Sequence, residues 1–331
     1  MIDRHDSRKL RISIWNKLLQ GLGVYVVLIL LLIGGTVVSK DFWSIDNFLN
    51  IVRPVTLLGI VAVGIAFITY GGNYVDLSIP AIMAFSGMVA VGAVPWLGIS
   101  GILCGIAAGM AIGLINGYIV GYVRLNPIIW TLAMGFMLDG LLRWSTGGNQ
   151  VYPDDTTRAG ELFVALARFE VLQVPVMTIV LVILAATAHL VFKRTWLGGQ
   201  IQFTGAAYDV AAASGVNVRR VVLYTFLISS FASSLAGVLL TSLSRQGTFT
   251  NGQGYNFNGI TAVVLGGVAL GGGVGSIVGV LGGVLVIGLL GNIMTLNGWG
   301  YFEQMIAKGA IFIFVVGAAT YFSRKTGNEK V

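Results

Sequence analysis

Residues 71–80 read Gly71-Gly72-Asn73-Tyr74-Val75-Asp76-Leu77-Ser78-Ile79-Pro80 and interrupt a chain that is otherwise almost continuously apolar. An ionisable side chain at membrane depth is costly, so it normally faces protein or a water-filled path. Two glycines end a helical piece at little steric cost. Asp76 or Ser78 can cap the start of the next piece. Pro80 is tolerated in its first turn, where the amides lack intrahelical partners. The stretch predicts a broken helix, an element that commonly builds solute paths in transporters.

Composition agrees with membrane burial. Of 331 residues, 56% are hydrophobic and 10% charged, with mean hydropathy +0.87. A soluble domain carries about 25% charged residues. The fold class is therefore all-α, a polytopic transmembrane helical bundle. The 47 glycines suit close helix approach, because lipid supplies no hydrophobic drive for association. A single cysteine, Cys104, excludes an internal disulfide, and no Cys/His cluster has metal-ligand spacing. The net charge of +7 does not point to nucleic acid, since the basic residues cluster beside apolar spans.

About 20 apolar residues cross a bilayer as helix. About ten passages are predicted, near 20–38, 54–71, 77–96, 98–122, 127–146, 173–192, 220–243, 258–270, 275–296 and 303–322. The eighth is too short to cross alone and reads as re-entrant. With residues 1–19 inside, the inside segments carry 13 Lys and Arg against 7 elsewhere, which also places the tail 324–331 inside. The transmembrane domain is 20–323. Residues 147–172 form the longest outside loop and 193–219 the longest inside loop. Within the latter, Ala206 to Ser214 is helix-prone, Asp209 falls in its first turns and Gly215 is placed to stop it. The segment reads as a handle for a partner or as a connecting turn.

Glycines recur every four residues from Gly101 to Gly121 and from Gly267 to Gly283. Each series lays a flat stripe along one helix face. An inverted internal repeat is one reading of the chain. Ile112-Gly113-Leu114-Ile115-Asn116-Gly117 matches Ile287-Gly288-Leu289-Leu290-Gly291-Asn292, whereas Gly59-Ile60-Val61-Ala62-Val63 matches Gly259-Ile260-Thr261-Ala262-Val263 at a different offset.

No catalytic constellation and no GxxxxGK[ST] phosphate loop is present, so uphill transport would need a separate motor or an ion gradient. Candidates for lining a path are Asn73, Asp76, Ser78, Asn116 and Asn292, whose groups hydrogen-bond hydroxylated solutes. Phe85 and Trp130 add rings that can face a sugar. Ordinary packing or interface anchoring explains the rings better than solute contact does, and interhelical hydrogen bonding explains Asn116 and Asn292 as well as lining a path does. Asp139 and Arg143 are four apart on a helix and can neutralise each other, as a structural pair or as part of the path.

At these residues the chain resembles the permease subunits of bacterial ABC sugar importers of the ribose, xylose, arabinose and galactoside type. Three blocks carry the resemblance. The first runs from Phe42-Trp43-Ser44-Ile45-Asp46-Asn47-Phe48-Leu49-Asn50 to Gly71-Gly72 and Asp76-Leu77-Ser78, where the family often reads GGIDLSVG. The second is Gly205 to Val218. The third is Ile260-Thr261-Ala262-Val263-Val264-Leu265-Gly266-Gly267, then Gly271-Gly272 and Gly275-Ser276. Departures are Asn73-Tyr74, Pro80, Ala206-Ala207, Ala212 and Asp139, where the family frequently has Arg.

The resemblance implies a transport subunit rather than an enzyme, with no cofactor of its own and ATP-Mg bound by a partner. It implies ABC ATPase subunits docked through Gly205, Tyr208, Asp209, Ala211, Ser214, Gly215 and Asn217. It further implies a periplasmic sugar-binding protein, a second permease chain as homo- or heterodimer, and a place in the bacterial inner membrane with both termini cytoplasmic. Other readings are a related importer of branched-chain amino acids or another small solute, and a self-contained channel or ion-coupled carrier.

Overall fold

The computed structural model describes residues 23–72, 75–171 and 174–325. Among the described residues the regular structure is helical apart from one pair of two-residue strands and a Val151–Gly247 bridge. In order it runs α1 (Gly23–Val38), α2 (Ile45–Tyr70), α3 (Ile79–Leu97), α4 (Gly101–Tyr118, continued by a π turn to Val123), α5 (Pro127–Thr146) and α6 (Arg158–Leu166). The hairpin β1 (Glu170–Val171) and β2 (Val174–Pro175) follows. Then come α7 (Val176–Arg194), α8 (Trp196–Ala206), α9 (Tyr208–Ala213), α10 (Val218–Ser244), α11 (Tyr255–Leu265), α12 (Ile277–Leu296) and α13 (Tyr301–Lys325).

Each expected passage overlaps one of these helices; residues 20–22 and 173 lie outside the described ones, and 266–270 of the eighth passage is loop. Among the described residues six runs are long and apolar enough to cross a membrane, and the protein is a multi-pass membrane protein. The run 79–123 is two helices that fold back at Gly98, whose φ of +61° only glycine adopts freely. α11 has 11 residues and rises about 16 Å, roughly half the hydrocarbon core, as a re-entrant piece would. One boundary is corrected. α2 begins at Ile45, well before the expected 54. Ser44 caps it by accepting from the Asn47 amide at 3.2 Å, and Pro54 sits inside the helix.

α2 and α10 form the buried centre, while α13 lies outermost. The glycine stripe of α4 packs directly on α10. A methyl group on Gly109 would meet the Ser86 and Ser234 hydroxyls, one on Gly113 would meet Ser230, and one on Gly121 the Arg219 carbonyl. As the number rises on α4 it falls on α10, so the two helices are antiparallel. Gly64 against Ser229 and Ala232, and Gly71 against Thr225, make α2 and α10 antiparallel too.

The inverted repeat is visible in this arrangement. Moving the first half forward by the 175 residues that separate Ile112 from Ile287 lays α2 on α10, α3 on α11, α4 on α12 and α5 on α13. Similar contacts recur one residue out of that register: Gly101 packs on Val94, and Gly275 on Val268. Because α2 and α10 run oppositely, the halves are inverted, as in many transporters. The competing match of Gly59 with Gly259 is overturned, since it would lay 26-residue α2 on 11-residue α11.

Part of the expected outside loop 147–172, whose residue 172 lies outside the described ones, is folded onto the bundle as α6. Phe163 of α6 is fully buried against Ala90, Val91, Val94 and Val238, and the Ser242 hydroxyl donates to the Phe163 carbonyl at 2.6 Å. This end of the bundle is called the α6 face, and the opposite end the α8–α9 face.

Candidate functional site

The break between α2 and α3 is real and is organised by Asp76. α2 ends at Tyr70 with Gly71 as its C-cap, and Gly72 takes φ +118°. Asp76, 3% exposed, turns one carboxylate oxygen back to accept from the Ser78 amide at 2.8 Å and the Ser78 hydroxyl at 2.5 Å. Of the two expected caps, Asp76 therefore holds the turn. Ser78 occupies the N-cap position but makes no capping bond with its side chain, and Pro80 stands in the first turn as expected.

A chain of side chains continues from there. The Asn116 amide of α4 donates to the Ser78 hydroxyl at 3.0 Å, and the Trp130 indole of α5 donates to the Asn116 carbonyl at 2.9 Å. Thr131 accepts from the Leu77 amide at 2.9 Å, which ties α5 to the broken segment. Four expected residues, Asp76, Ser78, Asn116 and Trp130, thus form one polar line across three helices. The second Asp76 oxygen has no protein partner. Asp76 helps to line a cavity of about 10 Å³ with Ile65, Thr69, Ile79 and Ile260, room for one water-sized group. Among the described residues no Lys or Arg pairs with Asp76.

The other expected positions lie elsewhere. Asn292 does not join this line. It pairs with Asn47 of α2 through bonds of 2.7 and 3.3 Å near the α6 face and so joins two helices. Phe85 is half-buried and packs beside the Ile82, Ile112, Met134 and Leu138 cluster, as Trp130 does. Asn73 and Tyr74 fall outside the described residues.

At the α8–α9 face, the expected helix is α9, Tyr208–Ala213, preceded by an unforeseen one, α8. Asp209 lies in the first turn of α9, and Gly215 ends the turn after it at φ +86°. Tyr208, Asp209, Ser214, Gly215 and Asn217 are exposed, whereas Ala211 and Gly205 are buried. Gly205 is pressed into the bundle between the two glycine loops. Its Cα lies against Gly72 and Gly272, and a methyl group there would stand 2.7 Å from the Gly273 amide. That amide donates to the Tyr70 carbonyl at 3.0 Å, the Tyr70 hydroxyl donates to the Gly275 carbonyl, and Gln202 of α8 donates to the Gly273 carbonyl at 3.3 Å. The tip of α8 is thereby keyed to the end of α2 and to the loop before α12.

Sequence reasoning overlooked the serine face of α10. Ser229, Ser230, Ser233 and Ser234 are fully buried, and the hydroxyls of Ser229, Ser230 and Ser86 find no partner. The signal was present, because these serines repeat at the same four-residue interval as the facing glycines.

Comparison with known proteins places this arrangement. The family model described as branched-chain amino acid transport system / permease component matches residues 47–316. The chain is 32% identical over 311 residues to the ribose import permease protein RbsC of Haemophilus influenzae, covering 91% of this chain and 93% of that one. It is 35% identical over 307 residues to RbsC of Bacillus subtilis, covering 91% and 93%. Identity to the L-arabinose transport system permease protein AraH of Escherichia coli is 30% over 307 residues, covering 91% and 90%. No solved structure matches. A broken, inverted-repeat helical bundle matched over nine-tenths of its length by import permeases belongs to that permease family, the membrane-spanning transport components of ABC importers.

Proposed function

We propose that the chain forms the translocation path of an ATP-driven, binding-protein-dependent importer of a small neutral sugar. The observation that carries the reading is the keyed tip of α8. A displacement of the exposed α9 surface has a direct mechanical route, through Gly205, to the Asp76 break and the 266–276 loop. ABC ATPase subunits would dock on Tyr208, Asp209, Ser214, Gly215 and Asn217, with Ala211 and Gly205 passing the motion inward. Nucleotide and Mg would be held by those subunits. A periplasmic sugar-binding protein would deliver solute at the α6 face, and a second permease chain would complete the path in the bacterial inner membrane, both termini cytoplasmic.

The mechanism follows from the packing. Glycine faces of α4 and α12 present no side-chain knobs, so neighbouring helices can shift against them while keeping contact. Two states, each open to one side, would then differ by small helix displacements around the break. The Asp76–Ser78–Asn116 line offers hydroxyl, amide and carboxylate groups that replace the hydration of a polyhydroxylated solute.

The family description favours a second solute, a branched-chain amino acid. Such a solute carries a carboxylate and an ammonium group. The polar line offers one carboxylate and no cation, which fits a neutral sugar better. The deciding experiment is uptake into vesicles carrying the permease, the ATPase and the binding protein, with ribose, arabinose and leucine as probes. ATP-dependent aldose uptake that vanishes without this chain supports the reading. Leucine uptake alone shifts it to the amino-acid importer. Gradient-driven uptake by the purified chain shifts it to a self-contained carrier.

A further inference from the structure

The second half of the repeat has a break of its own. α10 ends at Ser244 and α11 begins at Tyr255, with residues 245–254 between them. The 175-residue offset carries Asp76 onto Asn251. Asn251 organises this break as Asp76 organises the first. Its amide donates to the Thr241 hydroxyl at 3.2 Å and to the Gln246 carbonyl at 3.1 Å, and its carbonyl accepts from the Thr248 hydroxyl at 3.1 Å. The two breaks meet inside the bundle. A methyl group on Gly252 would stand 3.0 Å from the Pro80 carbonyl and 2.8 Å from the Met83 Cβ, in the opening turns of α3. The two helices therefore start close together and run apart, α3 toward the α6 face and α11 toward the α8–α9 face. Neither start is capped by a side chain, and Gly254 has none to offer.

Two buried polar groups beside these starts lack a partner. One is the second Asp76 oxygen, in the cavity already described. The other is the side-chain amide of Asn256, in the first turn of α11. Asn256 is 8% exposed, and its amide meets no hydrogen-bond partner among the described residues. Ile260 lines the Asp76 cavity, and Asn256 stands four residues before it on the same face of α11, about 6 Å nearer the α6 face. The adjoining position, Gly259, packs on Ile65, which lines the same cavity. A buried amide without a partner costs stability and is retained where a ligand supplies the missing bonds.

Building on the sugar-permease reading, we propose that Asn256 is a specificity-determining residue of the solute site, set opposite Asp76 where the two half-helices start. Its amide donates to one hydroxyl of a neutral polyhydroxylated solute and its carbonyl accepts from a neighbouring one, while the free Asp76 oxygen accepts from a third. The cavity of about 10 Å³ holds one water and no aldose, so α3 and α11 must part for solute to reach both residues. The tip of α8 is placed to part them. Gly205 lies against Gly72, ahead of α3, and against Gly272, behind α11.

The test compares the parent importer with Asn256→Leu for ATP-dependent ribose and arabinose uptake in vesicles, and takes the thermal midpoint of each purified chain. Leucine removes an amide that bonds nothing in this state, so the midpoint holds or rises. Uptake of aldose below saturation falls about tenfold, as loss of one hydrogen bond to solute requires, and the ribose-to-arabinose ratio shifts. An unaltered ratio, with uptake that merely tracks the folded chain, shows that Asn256 meets only water and overturns the proposal. In a second arm, Asn256→Cys in a Cys104→Ser background is treated with a membrane-impermeant thiol reagent during turnover. Reaction that excess aldose slows about tenfold supports the assignment. No reaction, or reaction that aldose leaves unchanged, overturns it. If the parent takes up neither aldose, the sugar reading fails and the assignment with it; parent uptake with an indifferent Asn256→Leu defeats the assignment alone.

Discussion

Gly205 and Tyr70, 135 positions apart in sequence, meet so closely that a methyl group on Gly205 would overlap the Tyr70 carbonyl. The contact joins α8, whose neighbour α9 is exposed, to the last residue of the broken helix. A backbone-to-backbone junction of this kind transmits displacement with little slack, because packed interiors are not continuously deformable.

Gly205→Ala therefore overpacks the junction and lowers stability by about 2 kcal/mol, the usual scale for such insertions. Gly199→Ala on the same helix meets nothing within 4 Å and gains about 1 kcal/mol of helix propensity. Thermal denaturation of the purified chain should separate the two by several degrees, with Gly205→Ala the less stable. Equal midpoints would show that the junction yields freely.

Removing Asn116 breaks the polar line at its middle. Asn116→Ala leaves the Trp130 indole and the Ser78 hydroxyl short of a partner, at a cost of about 1–3 kcal/mol. Uptake should fall further than the amount of folded chain does, since the groups that receive solute are displaced. A fall in uptake that matches the fall in folded chain would make Asn116 a packing residue only.

Asn47 and Asn292 should behave as a coupled structural pair. Either single change to Leu strands a buried amide, at about 1–3 kcal/mol, while the double change removes both partners and recovers part of that loss. The recovery is partial because Asn47 also donates to the Phe42 carbonyl at 2.8 Å. Denaturation midpoints of the four chains measure the coupling, and additive losses would contradict it. Uptake by the folded double variant should equal that of the parent.

The α4–α10 seam should tolerate only exchanges that conserve volume. Gly113→Ala collides with Ser230, whose hydroxyl has no hydrogen-bond partner to lose, so adding Ser230→Gly should restore most of the roughly 1–3 kcal/mol lost. Thermal midpoints that fail to recover in the double variant would place the strain elsewhere, in the nearby Phe226 carbonyl.

How much of this was legible before any coordinates follows from the range of each interaction. Local chemistry determined the break: two glycines, a buried carboxylate and an early proline can be read along ten residues, and the helix stops where they say. The span positions were equally local, because the run of apolar residues that lipid demands is a property of the segment itself. The repeat was readable only as two rival offsets.

Tertiary structure alone decided which polar residues meet. Asn116 and Asn292 look alike in sequence, each an asparagine beside a glycine on an apolar helix. One bonds to Ser78 and Trp130 at the break, and the other to Asn47 across 245 positions. The serine face of α10 likewise acquires meaning only once the glycines of α4 lie against it. The physical reason is that helix formation is satisfied within a segment, whereas a buried side chain in a membrane bundle must find its partner on another helix. Which partner lies within reach depends on rotations and depths that emerge only when all the helices pack together.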